Sequence, residues 1–374
     1  MPQKNILPCL LLLLVMGGCL QPEKNHYLTQ KGIRETPFGK IGDTAITVYT
    51  ITNENGMQVS IMNYGATITS IMVPDKKGIN GDVVLGFDSL SGYLQSSNPY
   101  FGSTIGRYGN RIAKGKFSIG GTTYNLPINN NGNTLHGGLR GLDKVVWNAT
   151  RIPGDSGMRF TYVSAAGDQG FPGELTISVH FTLTAQNTLQ IEYVANTTQP
   201  TPVNLTNHAY FNLSAGKSPT ILDHLVTIMA NQYTEVDNLL LPTGALPSVS
   251  GTPMDFTKPK KVGDEIAAVT GGYDHNWVLK KATDSLEKVA EVFEPITGRV
   301  MEVLTTEPGL QFYTGNFLNG LLSGKGGIQY PQYAAFCMEA QHFPDSPNQP
   351  DFPTTILQPD QTYHQITQYK FSVR

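Results

Sequence analysis

The stretch Leu175–Leu183 alternates apolar and polar side chains without interruption, and this pattern constrains the fold more than any other feature of the sequence. Successive side chains of a strand point to opposite faces, so its apolar members share one side. After the turn residues Gln186-Asn187, the alternation resumes at Leu189, Ile191 and Tyr193, which predicts a β-hairpin. The apolar members of the first strand are Leu175, Ile177, Val179, Phe181 and Leu183.

Other segments also predict strands. Thr44–Thr52 and Thr67–Val73 are rich in β-branched residues, which favour pleated sheets. The residues around Gly120-Gly121, from Phe117 to Tyr124, predict a tight two-residue hairpin.

The segment at 286–293 fits two patterns. Leu286, Val289 and Val292 have helical spacing, whereas Val289, Glu291 and Phe293 fit a strand. We predict a strand here because every neighbouring segment is β.

The distribution of turn residues favours one large all-β domain. The chain has 39 glycines and 24 prolines, which is typical of many short strands joined by turns. No repeat of fixed period and no low-complexity linker divides it. We therefore predict a large antiparallel β-sandwich over residues 36–374, preceded by a polar tether at 19–35.

The first residues resemble an export signal. Lys4 is followed by the apolar run Leu10–Val15 and by the small residues before Cys19. This run is shorter than the roughly 20 residues that a transmembrane helix needs. We expect a signal peptide over residues 1–18 and a lipoprotein-type lipidation site at Cys19, with a plain cleaved signal as the alternative. The protein would then leave a bacterial cytoplasm and be periplasmic or membrane-anchored.

Composition argues against several classes of protein. A net charge of -3, with 15% charged residues, indicates no basic surface for nucleic acid. Of the three cysteines, Cys9 and Cys19 belong to the signal region, so Cys337 would have no partner for an intramolecular disulfide. We interpret Cys337 as a small core residue. The chain shows no metal-ligand spacing and no phosphate-binding loop.

Several segments combine ionisable residues with aromatics and amides. Each fits a turn or a core strand when taken alone, but together they contain the hydrogen-bonding and flat apolar side chains that suit a sugar. Glu339 is notable because it interrupts an apolar strand, where desolvation would raise its pKa toward the range useful for general acid/base chemistry. The segments are Ile105–Ile112, Asn133–Gly138, Val203–Asn212, Gly272–Trp277, Pro308–Asn316 and Phe336–Gln341.

With these segments in order, the chain resembles the aldose 1-epimerase family, of the galactose mutarotase type, from about Phe38 to Phe371. Leu142 and His342 depart from the usual Phe and Asn of the family. The segments that carry the resemblance are Tyr100–Gly102, Asn110–Ile112, Leu135–Gly138, Gly141–Lys144 with Trp147, Gly170–Gly173, Asn207–Asn212, Pro253–Phe256, Gly272–His275, Gln311–Asn316 and Glu339–Gln341 with Pro344-Asp345.

The resemblance implies a galactose mutarotase-like supersandwich that interconverts the anomers of free aldoses such as glucose and galactose without metal or cofactor. It implies that Glu339 is the general base for the C1 hydroxyl, that His208 is the general acid for the ring oxygen, and that His136 assists them. The substrate-binding residues that it implies are Asn110, Arg111, His136, Asp274, Gln311, Tyr210 and Phe211.

This assignment has a consequence for the pH dependence. The histidine must be protonated when the glutamate is ionised, so we expect a bell-shaped rate profile.

Two other functions are compatible with parts of the sequence. A sugar-phosphate epimerase would need more basic residues than Arg107, Arg111 and Lys144 near the site. A carbohydrate-binding module would use the same aromatics and amides but has no need for the His208 and Glu339 pair. The choice between glucose and galactose is left open by the spacing.

Overall fold

The computed structural model describes residues 1–2, 31–154, 156–281 and 284–374. The predicted lipidation site Cys19, nearly all of the predicted signal peptide and most of the tether lie in residues 3–30, outside the described residues. In the described part of the chain, no helix has the length and apolarity needed to cross a membrane.

Strands joined by turns make up the described chain, together with the short α-helix Leu90–Leu94 (α1) and several 3-10 turns. The strands in chain order are β1 Gly32–Ile41, β2 Thr44–Thr52, β3 Gln58–Met62, β4 Thr67–Pro74, β5 Asn80–Asp82, β6 Thr104–Ile105, β7 Arg111–Ile112, β8 Lys116–Ile119, β9 Thr122–Asn125, β10 Thr134–Leu135, β11 Asn148–Arg151, β12 Gly157–Ser164, β13 Leu175–Leu183, β14 Thr188–Thr197, β15 Thr201–Pro202, β16 Thr206–Asn207, β17 Leu225–Ile228, β18 Ala230–Tyr233, β19 Lys260–Lys261, β20 Asp274–Leu279, β21 Glu287–Phe293, β22 Arg299–Thr305, β23 Gly309–Tyr313, β24 Cys337–Gln341, β25 Ile356–Leu357 and β26 Tyr363–Val373. The 3-10 turns are Ala113–Gly115, Leu142–Lys144, Asp168–Gly170, Ile266–Ala268, Lys325–Gly327 and Ser346–Asn348.

The largest sheet has nine strands in the order β11-β12-β13-β14-β26-β22-β21-β17-β19. The predicted hairpin lies near its centre, where Leu183 pairs with Leu189 and Leu175 with Thr197. The apolar side of β13 is buried along its whole length. The alternation therefore predicted both the strand and the face that it buries.

The ambiguous segment at 286–293 is the strand β21, as predicted. It pairs with β17 on one side and with β22 on the other. Its register shifts between Lys288 and Ala290, so that Val289 and Val292 are both buried although they are three residues apart. This β-bulge explains why the sequence shows helical spacing inside a strand.

A five-stranded sheet runs in the order β1-β2-β3-β4-β5 and contains both β-branched segments that the sequence predicted as strands. Its first strand corrects the predicted tether: β1 begins at Gly32, and Gly32–Glu35 pair with residues 49–52 of β2. β1 lies at the edge of the sheet, where backbone hydrogen bonds to β2 hold it in place.

A four-stranded sheet, β18-β20-β23-β24, carries the candidate chemistry, and we call it the floor sheet. Residues paired directly across antiparallel strands point to the same face. One face contains the row Asn276, Gln311 and Glu339, and the opposite face contains the row Trp277, Leu310 and Ala340. The sheet therefore has one polar and one apolar face.

The apolar face of the floor sheet belongs to a single large core. Buried side chains from the nine-stranded, five-stranded and floor sheets form one contiguous cluster, represented by Phe181, Ile61 and Phe312. The paired strands of these sheets are antiparallel throughout. This arrangement confirms the predicted all-β antiparallel sandwich.

Candidate functional site

An open cleft of about 120 Å³ lies over the polar face of the floor sheet. Three ionisable side chains that the sequence singled out converge in it: the ligand atoms of His136, His208 and Glu339 lie within 4.8 Å of one another. The residues that line the cleft are Pro99, Tyr100, Asn110, Arg111, Leu135, His136, His208, Tyr210, Asp274, Tyr313, Phe317 and Glu339.

Glu339 and His208 form the centre of the site. The distance from Glu339 Oε1 to His208 Nε2 is 3.6 Å, and the two side chains are 3% and 7% exposed. Glu339 projects from β24, while His208 follows β16, so different parts of the chain hold the two groups. The separation exceeds a direct hydrogen bond and leaves both atoms able to engage a substrate.

Burial shifts the pKa values of the two groups in opposite directions. Desolvation raises the pKa of Glu339 well above its usual value, and the nearby Asp274 adds to this shift while Arg111 opposes it. Desolvation lowers the pKa of His208 to about 4. The free site therefore favours a protonated Glu339 beside a neutral His208, which reverses the ionisation expected from the sequence.

His136 has a defined tautomer. Its Nδ1 accepts a hydrogen bond from the backbone N–H of Asn110 at 3.1 Å, so the neutral ring carries its proton on Nε2. Burial lowers its pKa well below the usual value, and the charges of His208, Arg111 and Lys144 lower it further. His136 is consequently a neutral hydrogen-bond donor toward the cleft.

The same tautomer bears on metal binding. Two histidines and a glutamate are a donor set that some metals accept. A metal would need the lone pair of His136 Nε2, and a neutral ring whose Nδ1 already accepts a hydrogen bond has none to offer there. The trio therefore fits proton transfer better than metal coordination.

Cys337 is buried, as the sequence predicted, but it is more than a core residue. Its Sγ lies 3.4 Å from Nδ1 of His208. Burial raises the pKa of the thiol well above its usual value, and Glu339 adds to the shift, so Cys337 stays protonated. It contacts the ring nitrogen of His208 that faces away from Glu339.

The polar residues implied by the resemblance surround this centre at two depths. Asp274 and Arg111 line the cleft, where Arg111 Nη1 donates to Asn110 Oδ1 at 3.4 Å. Gln311 lies beneath the lining, and its Nε2 donates to Asp274 Oδ1 at 2.7 Å. Gln311 thus orients Asp274, and Asp274 presents the carboxylate to the cleft.

The aromatic predictions divide into one that lines the cleft and one that does not. Tyr210 stacks on His208 with ring centroids 5.1 Å apart. Phe211, however, is fully buried against Phe336 and Tyr369 in the core. We therefore correct its assignment as a substrate-binding residue: successive side chains of this extended segment point to opposite sides, so Tyr210 and Phe211 cannot both face the cleft.

Three further aromatics line the cleft without having been assigned there from the sequence. Tyr100 packs edge-on against His136 at 4.7 Å and stacks on His208 at 5.9 Å. Tyr313 and Phe317 stack on each other at 5.9 Å, and Phe317 is 69% exposed at the rim. The only sequence signal for Tyr100 and Tyr313 was their presence in the segments that carry the resemblance, and Phe317 lies just outside them.

Three residues that line the cleft have a strained backbone conformation. Tyr100, Asn110 and His136 have φ values of 65°, 64° and 51°, in the left-handed region. Such conformations cost about 1–3 kcal/mol each and persist where surrounding structure imposes them. Next to His136, a Cβ on Gly137 would lie 1.9 Å from the carbonyl oxygen of Gly106, so this close approach requires glycine.

Arg107 bears on the sugar-phosphate alternative. Its guanidinium is buried and donates to the carbonyl oxygens of Ser164, Ala165, Pro172 and Gly173. These bonds fix two loops together and leave Arg107 unable to reach a phosphate. Of the three basic residues considered for that role, only Arg111 lines the cleft.

The fold and the cleft define a class of protein: a β-sandwich enzyme that moves protons on a hydroxyl-rich ligand. Comparisons with known proteins are more specific. The family model described as aldose 1-epimerase matches residues 47–370. The chain belongs to the aldose 1-epimerase family, whose members are isomerases that interconvert the α and β anomers of aldoses.

Individual relatives cover nearly the whole chain. The galactose mutarotase of Rattus norvegicus is 46% identical over 344 residues, which are 91% of this chain and 99% of the relative. The aldose 1-epimerase of Escherichia coli (strain K12) is 36% identical over 346 residues, with the same shares of 91% and 99%. The solved structure of an aldose epimerase homologue from C. elegans has a TM-score of 0.80 at 32% identity, and covers 87% of this chain and 98% of its own.

Proposed function

We propose that the protein interconverts the anomers of free aldohexoses, with Glu339 as the general base and His208 as the general acid. The observation that carries the proposal is the pairing of a buried carboxyl with a buried imidazole, 3.6 Å apart, in an open cleft. A module that only bound sugar would have no use for two desolvated ionisable groups, because burying them costs folding free energy.

The reaction begins with Glu339 ionised and His208 protonated. Glu339 takes the proton of the C1 hydroxyl while His208 gives a proton to the ring oxygen O5, and the C1–O5 bond breaks. The open-chain aldehyde turns about C1–C2 and presents its other face. The two proton transfers then run in reverse and close the other anomer, so the pair regains its starting state.

The environment drives the ring-opening step. A raised pKa makes Glu339 a stronger base than an exposed glutamate, and a lowered pKa makes His208 a stronger acid than an exposed histidine. After ring opening, Glu339 is protonated and His208 is neutral, which is the arrangement that burial favours. The free-energy cost of charging the two buried groups is incurred earlier, when the proton moves from Glu339 to His208 before ring opening.

The remaining polar residues hold the sugar in a reactive orientation. Asp274 accepts hydrogen bonds from hydroxyl groups, whereas Arg111 and His136 Nε2 donate to oxygens. Asn110 supports both His136 and Arg111. Fixing the reacting atoms near their partners replaces an entropic cost that the uncatalysed reaction must bear.

Polarimetry tests the proposal directly. Freshly dissolved α-D-glucose and α-D-galactose would be followed with the wild-type protein and with Glu339→Gln, which keeps the shape of the side chain and cannot ionise. We expect rapid equilibration by the wild type and its loss in the variant. A folded wild type that leaves the spontaneous rate unchanged would refute the proposal, while full activity in Glu339→Gln would refute the role of the base.

The same experiment ranks the two sugars. Galactose and glucose differ at the C4 hydroxyl, and the name of the Rattus norvegicus relative motivates galactose as the first choice. We propose that galactose is the better substrate, which a higher kcat/KM for galactose than for glucose would support.

We further propose that the enzyme acts outside the cytoplasm. The motivation is the signal-like pattern of Lys4, the apolar run Leu10–Val15 and Cys19. Fractionation of cells expressing the full chain, followed by mass analysis of its N-terminus, tests the proposal. A cytoplasmic chain that keeps Met1 would refute export, and an exported chain without lipid on Cys19 would refute only the anchor.

A further inference from the structure

Buried polar atoms without a protein partner cluster behind the catalytic carboxylate. Oε2 of Glu339, Oε1 of Gln311, and both side-chain polar atoms of Asn276 and Gln341 are buried and have no hydrogen-bond partner among the described residues. A buried polar atom left unpaired costs about 1–3 kcal/mol. So many such atoms in one place indicate a chamber that is satisfied by something other than protein.

The sheet register places these atoms together. Asn276, Gln311 and Glu339 form one row across three strands of the floor sheet, on its polar face. Gln341 follows Glu339 by two residues on β24 and therefore shares that face. The four side chains thus form one continuous polar surface beneath the cleft.

Gly309 makes room for the Asn276 amide at the side of this chamber. It pairs with Gln341, and a Cβ at its position would lie 2.3 Å from Oδ1 of Asn276. Because Gly309 has no side chain, the Asn276 amide extends across β23 toward Gln341. Both amides are almost completely buried, and neither is among the residues that line the cleft.

We propose that Asn276 and Gln341 are positioning residues that hold the Oε2 atom of Glu339 through ordered water molecules in this chamber. The inference rests on the proposed function, since it assigns how the catalytic base is supported. Water fits because it both donates and accepts, and because buried waters in proteins make about three hydrogen bonds to otherwise unpaired groups. The amides fix the waters, and the waters donate to the carboxylate.

The proposed water-mediated hydrogen bonds oppose the effect of burial on the pKa of Glu339. Hydrogen bonds donated to Oε2 stabilise the carboxylate, and therefore limit the rise in pKa that burial and Asp274 cause. The ionisable groups that lie near Glu339 or whose charge couples to it are His136, His208, Asp274, Arg111, Cys337, Tyr193, Tyr210 and Tyr369.

Two substitutions test the inference through the pH dependence of kcat/KM. Gln341→Met and Asn276→Leu replace each amide by an apolar side chain of similar size. We expect the alkaline limb, which reports loss of the last proton from the pair, to move up by about one pH unit, with kcat at pH 7 about 10-fold lower and KM nearly unchanged. Met338→Leu, on the apolar face of β24, is the matched control and should change neither the position of the alkaline limb nor kcat.

If Asn276 and Gln341 served only the fold, their substitution would lower the folded fraction of the protein and leave the alkaline limb of kcat/KM at its wild-type position. An unmoved limb in folded Gln341→Met therefore overturns the inference. If the wild type itself fails to accelerate anomer exchange, the proposed function fails instead, so the two failures are distinguishable.

A high-resolution crystal structure of the wild type provides a second test that does not depend on the variants. We expect ordered waters within 3.2 Å of Glu339 Oε2 and of the amides of Asn276 and Gln341. A chamber without water, or amides that contact Oε2 directly, would overturn the inference.

Discussion

The protein contains two histidine–glutamate pairs, His208 with Glu339 and His342 with Glu307, whose histidine pKa values shift in opposite directions. In the cleft, His208 Nε2 is 3.6 Å from Glu339 Oε1. At the far end of β24, His342 Nδ1 is 2.5 Å from Glu307 Oε2. Glu307 also accepts a hydrogen bond from the Tyr363 hydroxyl at 3.3 Å.

The pKa values follow this difference in geometry. Burial would lower the pKa of His342, but the charge of Glu307 and the hydrogen bond to it raise the value above the usual one. His208 has no such bond to Glu339, and burial lowers its pKa to about 4. A short, aligned hydrogen bond thus produces a fixed ion pair, whereas a slightly longer separation leaves a proton free to be exchanged with a ligand.

Substitution of the two glutamates should give the largest difference between the two pairs. Glu339→Gln should lower kcat by about 10³-fold or more, because general acid/base groups typically contribute 10²–10⁴-fold. Glu307→Gln should leave kcat within a few-fold, since Glu307 lies outside the cleft. Polarimetry on both purified variants, with circular dichroism to verify folding, checks this expectation, and comparable losses in the two would contradict it.

Removal of one partner from the fixed pair should affect stability rather than catalysis. His342→Leu leaves the buried Glu307 carboxylate without its cation, and we expect the free energy of unfolding to fall by about 3 kcal/mol. Urea unfolding of the wild type and the variant measures the change. A variant as stable as the wild type would show that the pair contributes little.

The pH profile sharpens the contrast within the cleft. The pair His208 and Glu339 should carry one proton across the active range, which gives a bell-shaped kcat/KM. The acid limb should lie near pH 4, where His208 takes up a second proton, and the alkaline limb should reflect the raised pKa of Glu339. A rate that does not change from pH 3 to 10 would exclude this pair.

The smallest expected effect is the pH dependence of stability at His342. Its pKa is raised in the folded state, so its stabilising contribution is complete below the unfolded value near 6.5. That contribution is lost as pH rises through the folded pKa. Stability curves for the wild type and His342→Asn should therefore differ most at acidic pH and converge at alkaline pH; parallel curves would contradict the assignment.

Periodicity predicted those parts of the fold in which it is undisturbed. The strand Leu175–Leu183 and its hairpin were read from alternation alone. The bulge in β21 obscured the same signal, because an inserted residue changes the phase of burial. The edge strand β1 was placed partly in the tether because its order depends on pairing with β2, which its own residues do not reveal.

The site was predictable wherever a residue type carries the chemistry by itself. Glu339 stood out as a carboxylate in an apolar strand, the resemblance implied His208 as its partner, and the structure brings the two together. Phe211 was assigned incorrectly because a motif does not say which of two adjacent residues faces a cleft. Asn276 and Gln341 were missed because their importance depends on strand register and on the absence of a side chain at Gly309.

The left-handed backbone at Tyr100, Asn110 and His136 links the conformational stability of the protein to the support of its cleft. Glycine at position 110 would adopt the positive φ at no steric cost. It would also remove the buried amide oxygen that accepts hydrogen bonds from the backbone N–H and the guanidinium of Arg111. Relief of the strain therefore removes support from the cleft, so we expect substitutions that raise the melting temperature without loss of activity to lie far from the cleft.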